Sequence, residues 1–280
     1  MRLLSILASL LGTAPSTGAL GGKSSDPRQH LAFVLLQAAE LPRPEDVLSA
    51  YRTLAPPEEQ VLGAPEVKDG GLSFQVGKDG FAVVGMMPVP VPNGEAAAAF
   101  ERSFSSGLAE YRELRPHTAH LVVVLNDAGG RTRHQGLTRF TYLLAAVARA
   151  SNAVAIYWGA AHATHDARYF LDRAEQRDPD LMMGLWTGLE ITREGSDRLS
   201  VVTCGMRDQL GLMELRVTAP LRSGEASVLR MFDFLAYAAR RGAALPDGDT
   251  IGRDANERLK VRHERSAADP KQKVWRIDFP

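Results

Sequence analysis

Residues Ala119–Leu125 read AHLVVVL, and the last five of them are uninterrupted aliphatic side chains. Such a run lacks the alternation of a half-exposed strand and predicts a strand covered on both faces. Upstream, Leu31–Gln37 (LAFVLLQ) is a second run of the same kind. Between the two, Pro44, Glu45 and Asp46 open a helix: proline where no N–H is needed, carboxylates at the positive end of the dipole. Val47, Tyr51 and Leu54 form its buried face, and Pro56-Pro57 stops it. Leu72, Phe74 and Val76 alternate as a half-exposed strand, and Lys78-Asp79-Gly80 turns it into Phe81–Val91. Pro88, Pro90 and Pro92 keep the end of that strand out of a sheet interior. Asn93 is placed to cap a helix with Phe100, Phe104, Leu108 and Tyr111 on one stripe. The order from 31 to 125 is strand, helix, strand, strand, helix, strand. That order predicts an α+β fold with a ferredoxin-like (split βαβ) N-terminal half, two helices on one face of a four-stranded antiparallel sheet.

Downstream, Phe140, Leu143, Leu144, Val147 and Ala150 recur at helical spacing over Thr138–Ala150, with Asn152 at the C-terminal end. A strand over Ala153–Trp158 and a helix over Asp166–Gln176 follow. Leu121–Leu125 and Ala153–Trp158 are expected to be neighbouring parallel strands joined by a crossover through the intervening helix. Leu185–Thr192, Leu199–Met206 and Leu212–Thr218 predict a three-strand meander. Ser223 is placed to cap a helix carrying Val228, Leu229, Phe232, Leu235 and Ala236, closed by Arg240, Arg241 and Gly242. Strands over Leu259–Arg265 and Val274–Phe279 complete a second sheet-and-helix half with a mixed sheet. The expected division is a flexible tail over 1–29, a ferredoxin-like half over 30–127 and a second half over 128–280.

Composition bounds function by exclusion. Thirty-three basic residues cancel thirty-three acidic ones in 280 residues, so there is no electrostatic footprint for nucleic acid or an anionic membrane. Cys204 is the single cysteine, which leaves no internal disulfide and no cysteine-based zinc set. Arg2 followed by Leu3–Leu11 (LLSILASLL) has the outline of a secretory signal over residues 1–19, and equally of a short amphipathic helix. The reading adopted is an unprocessed cytoplasmic tail; the apolar run is too short to span a bilayer.

Met87–Pro92 (MPVPVP), His117-Thr118-Ala119-His120 and Ala155–Gly159 (AIYWG) together resemble the bacterial domain-of-unknown-function family 4261, DUF4261. Cys204-Gly205-Met206, Gly211–Leu215 (GLMEL) and Asp247–Gly252 (DGDTIG) add to the resemblance, which extends from about Leu31 onward. It implies a bacterial source and a cytoplasmic tail, and carries no catalytic residue across.

Two His-x-x-His pairs, His117/His120 and His162/His165, have the spacing of metal ligands, with Asp166 as a further carboxylate. Placed at opposite ends of successive strands, about 20 Å apart, the pairs are not expected to share a metal. Asp127-Ala128-Gly129-Gly130 sits where α/β folds bind phosphate but lacks the phosphate-loop fingerprint, so a turn is expected; Arg131, Arg133 and Arg139 stand near it as anion ligands or a solvated helix start. Cys204 is read as structural, lacking a basic neighbour, and Asp247-Gly248-Asp249-Thr250 as a tight turn. No catalytic residue, metal or cofactor is assigned. The residues taken as candidates for protein contact are Tyr157, Trp158, His162, His165 and Trp186. Two functional readings survive. One is a non-enzymatic interaction module, such as an immunity or adaptor protein whose partner is a toxin or secretion component; the other is a hydrolase or small-molecule enzyme with a site dispersed over loops.

Overall fold

The computed structural model of the chain describes residues 28–59, 63–68, 70–127, 131–254 and 256–280. The expected tail, with its signal-like Leu3–Leu11 segment, lies outside them apart from its last two residues. The first stretch forms β1 (Arg28–Leu36), α1 (Pro44–Leu54), β2 (Glu66–Lys68), β3 (Gly71–Val76), β4 (Gly80–Met87), α2 (Glu95–Phe100) and β5 (Ala119–Asp127). Next come α3 (Arg133–Ala150), β6 (Ala155–Trp158), β7 (Ala163–Asp166) and α4 (Ala167–Glu175). The remainder forms β8 (Gly188–Glu194), β9 (Arg198–Cys204), α5 (Met206–Leu210), β10 (Glu214–Pro220), α6 (Gly224–Arg241), β11 (Thr250–Ile251), β12 (Leu259–Arg265) and β13 (Lys273–Asp278). No described helix is long and apolar enough to cross a membrane.

The fold is α+β, with two sheets. The first has seven strands in the order β2-β3-β4-β5-β1-β6-β7, every neighbour antiparallel. It draws strands from both sides of the boundary expected at residue 127. β1 and β5, the two continuous apolar runs, lie side by side at its centre, Ala32 opposite Val123. Ala32, Val34, Leu121, Val123 and Leu125 enter the core beneath α1 and α3. The other face of the sheet carries Val122 and Val124 with half-buried Leu31, Phe33 and Met87.

This strand order differs from a ferredoxin-like sheet. A split βαβ unit makes the strands flanking its helix parallel with one strand between them; here β3 runs antiparallel to β1 and lies two strands beyond β5. The connection from β4 returns to the adjacent antiparallel position, and β1 is taken up on the far side of β5. A split βαβ unit does occur, later in the chain: β5, α3 and β6, with β1 slotted between the parallel β5 and β6. The expected parallel neighbours therefore share a sheet and a direction but do not touch.

The second sheet runs β11-β12-β13-β10-β9-β8. β8, β9 and β10 form the expected antiparallel meander, and β13 joins β10 in parallel, Val217 opposite Ile277. α6 packs on one face over Val201, Val217 and Ile277. The other face carries ion pairs, Arg216 with Glu264 at 2.9 Å and Arg276 with Asp278 at 2.8 Å, as expected of a sheet wet on one side. Buried residues of both sheets belong to one contiguous apolar cluster. The connector Met182–Trp186 is inserted into it, and Trp186 Nε1 donates to Thr141 Oγ1 of α3 at 2.9 Å.

Candidate functional site

His117, His120 and His165 have separate structural roles. His120 Nδ1 donates to the Val89 carbonyl at 2.8 Å, and the Val91 N–H donates to His117 Nε2 at 3.1 Å. Together they clamp the proline-rich segment after β4 to the start of β5, so two of the sequence motifs are in direct contact. Burial lowers the pKa of both rings, and the uncharged Nε2 of His117 is the form that accepts this bond. The reason for the separation of the pairs is not the expected one. β7 folds back on β6, so His165 stands opposite Ile156 at the same end of the sheet as His120. The two lie three strand spacings apart, about 14 Å, on opposite faces. No group of three His, Cys, Asp or Glu able to hold a metal occurs among the described residues.

His165 is fully buried, with Nδ1 at 2.9 Å from Ser105 Oγ. Burial depresses its pKa to about 3, and the ring tilts against Tyr169. A serine–histidine pair suggests nucleophilic catalysis, but Ser105 and His165 are both wholly enclosed, so no substrate reaches the hydroxyl. The pair ties the Phe104–Gly107 turn to β7 instead. Trp158 and Trp186 are likewise in the core, Trp158 edge-on to Phe140. Buried as they are, Trp158, His165 and Trp186 present no surface to a partner, which corrects their selection as contact residues. Tyr157 is half-buried beside Phe33, its hydroxyl 3.4 Å from Glu95, and His162 is exposed in the turn between β6 and β7.

Arg139, expected near a solvated helix start, is 1% exposed. Its guanidinium donates to Glu59 at 2.8 Å, Asp79 at 2.9 Å and Asp127 at 3.3 Å; Arg131 joins from outside, 3.0 Å from Asp79. The hydrogen bond from Arg139 leads the causes that hold the Asp79 carboxyl below its usual range. Three carboxylates already occupy these guanidinium groups, so their charge is directed inward. Of the glycine-rich turn, residues 128–130 lie outside the described residues.

Cys204 and its neighbours are also structural. Burial, with Glu190 and Glu214 nearby, pushes the thiol up to about 12 and so holds it protonated at neutral pH. Gly205 has φ 95° and lies against the backbone of Ala160 and Ala161 so closely that a Cβ would collide. Glu214 accepts from Thr203 Oγ1 at 2.7 Å and from the N–H groups of Met206 and Arg207 at 3.2 and 3.1 Å, capping α5. The Asp247-Gly248 turn holds as a turn, with Gly248 at φ 84° and Asp247 accepting the His263 N–H.

The place where a ligand fits is elsewhere. The stripe from Phe100 to Tyr111 does not form one helix: α2 ends at Phe100, and short 3₁₀ turns follow at Phe104–Gly107 and Ala109–Tyr111. Ser103, Ser105, Ser106 and Gly107 interrupt the stripe, and the serine hydroxyls take bonds that compete with the helix, Ser103 Oγ donating to the Ala99 carbonyl and accepting from Thr164 N–H. That serine run was the available signal. The broken segment stands off from the second sheet and leaves a groove of about 670 Å³. Phe104 and Leu108 form one wall, Leu189, Ile191, Leu199 and Val201 the floor, and Val228 of α6 the far side. Glu101, Arg102, Arg112 and Glu225 ring it with charge. Ile191 is 60% exposed, an uncovered aliphatic at the lip.

The family model of DUF4261, a domain of unknown function, matches residues 202–278. The match spans the Cys204-Gly205-Met206, Gly211–Leu215 and Asp247–Gly252 motifs and the strands β10 to β13; the resemblance read upstream of residue 202 lies outside it. No curated protein and no solved structure matches the chain.

Proposed function

From a chain whose residues 202–278 are DUF4261-like, we propose a non-enzymatic protein-interaction module that receives a segment of its partner in the groove between Phe104–Tyr111 and the second sheet. An immunity or adaptor role, with a toxin or secretion component as partner, belongs to the same proposal. The observation that carries it is the groove itself: an apolar floor with a charged ring, opening at the exposed Ile191. An apolar centre with a polar rim is the anatomy of a protein-contact site. His117, His120, His165 and Arg139, among the groups that suggested chemistry, are engaged in holding the fold together.

The test uses peptides selected from a random display library against the purified chain. Ala109 is exposed on the wall of the groove, so Ala109→Trp fills it without entering the core. Selected peptides are expected to lose at least about ten-fold in affinity for this variant, the loss of a central contact. Selected peptides that bind Ala109→Trp as they bind the wild type would place the interaction surface elsewhere.

A further inference from the structure

The groove is bordered by the free side of β8, the last strand of its sheet. The Leu189 N–H points away from β9 and donates to the Arg102 carbonyl at 2.7 Å. The chain thus begins to add a strand to this edge with its own backbone, then turns away at Ser103. Antiparallel ladders alternate, so the N–H and C=O groups of Ile191 and Arg193 point the same way as those of Leu189, to the open side. On the groove face the edge shows Ile191, followed by the exposed Arg193. On the opposite face it shows Glu190, Thr192 and Glu194, one residue in two.

Resting on the groove reading, we propose that β8 takes an extended partner segment as an added strand. That segment alternates an aliphatic side chain, directed into the groove beside Ile191, with a basic one opposite Glu190 and Glu194. Arg102 and Arg216 stand 3.9 and 3.5 Å from these carboxylates, and the Glu190 and Glu194 side chains remain 46% and 41% exposed beside them. A second copy of the chain is the wrong occupant. Two-fold pairing must set outward-facing residues against each other, and centring it on Thr192 puts Glu190 against Glu194 twice. Centring it on Ile191 sets Arg193 against Leu189, whose N–H is already taken by Arg102. Like charges directly opposite on paired strands repel.

Two capped six-residue peptides test this, one alternating lysine with valine and the other glutamate with valine. The lysine peptide is expected to bind about ten-fold more tightly, the sum of two cross-strand charge contacts. It should slow amide exchange at Ile191 and Arg193, and Glu190→Lys/Glu194→Lys should invert the preference. Ile191→Pro removes an outward N–H without touching the ladder to β9, a substitution that an edge strand tolerates. This variant should bind neither peptide while keeping the wild-type unfolding midpoint. Equal affinity for the two peptides, no protection at Ile191 and Arg193, or unchanged binding by Ile191→Pro overturns strand addition. Should the peptides show no charge preference yet still be displaced by Ala109→Trp, the inference fails and the groove reading stands; indifference to Ala109→Trp removes both.

Discussion

His165 shows how a residue's chemistry is set by what encloses it. Its Nδ1 faces Ser105 Oγ at 2.9 Å, and full burial holds its pKa at about 3. In the unfolded chain the ring titrates near 6.5. As the pH falls below that value, the unfolded state takes up a proton that the folded state refuses, so stability present above about pH 6.5 is lost progressively toward pH 3. His117, His120 and His134 are shifted in the same direction by burial. The expected outcome is a fall in the urea midpoint between pH 7.5 and pH 5, with His165 alone contributing about 2 kcal/mol. His165→Gln, which keeps an acceptor for Ser105, should be less stable at pH 7.5 but flatter in its pH dependence. A variant with the wild-type slope would show that His165 is not excluded from protonation. The sequence reads His162 and His165 as a spaced pair. It does not show that one is enclosed and the other exposed, because that depends on a β6–β7 hairpin of eight paired residues whose turn, Gly159–His162, carries no strong turn signature.

Elements long and periodic enough to declare themselves, α1, α3, α6, β12 and β13, stand within a few residues of where hydrophobic spacing puts them. Those that departed did so for local reasons. The helix expected after Asn93 was broken by serine hydroxyls, and Asn93 itself adopts φ 57° instead of capping. Ser223 precedes α6 as expected, but its hydroxyl donates back to Pro220 and caps nothing. Arg139 was misplaced because periodicity cannot reveal a buried charge. Its three partners come from the turn after α1, the β3–β4 turn and the end of β5, so one guanidinium holds four segments together. Arg139→Met is expected to cost about 3–5 kcal/mol, because the enclosed Asp127 carboxylate is left without its countercharge. Arg139→Met/Asp127→Asn should recover a substantial part of that loss in chemical denaturation. Equal stability of the single and double variants would show that the penalty is not electrostatic.

At the scale of the whole molecule, continuous apolar character correctly marked the two central strands but not which strand would lie between β5 and β6. Apolar runs report burial on both faces and are silent on order. Val123 is fully buried, with Ala32 on one side and Val84 on the other. Val123→Asp puts a carboxylate at the centre of the seven-stranded sheet, and a loss of several kcal/mol or failure to accumulate as soluble protein is expected. Wild-type stability for that variant would contradict the arrangement of the core. The placement of β1 also has a consequence for synthesis. Its two flanking strands begin about eighty and one hundred and twenty residues after it ends, so it leaves the ribosome on the order of ten seconds before both exist. During that interval LAFVLL is an unpaired apolar strand with nothing to pair with, and loop closure over such separations is slow. A strand that lies inside the finished sheet is therefore, while the chain is growing, an exposed apolar stretch of the kind that chaperones shield.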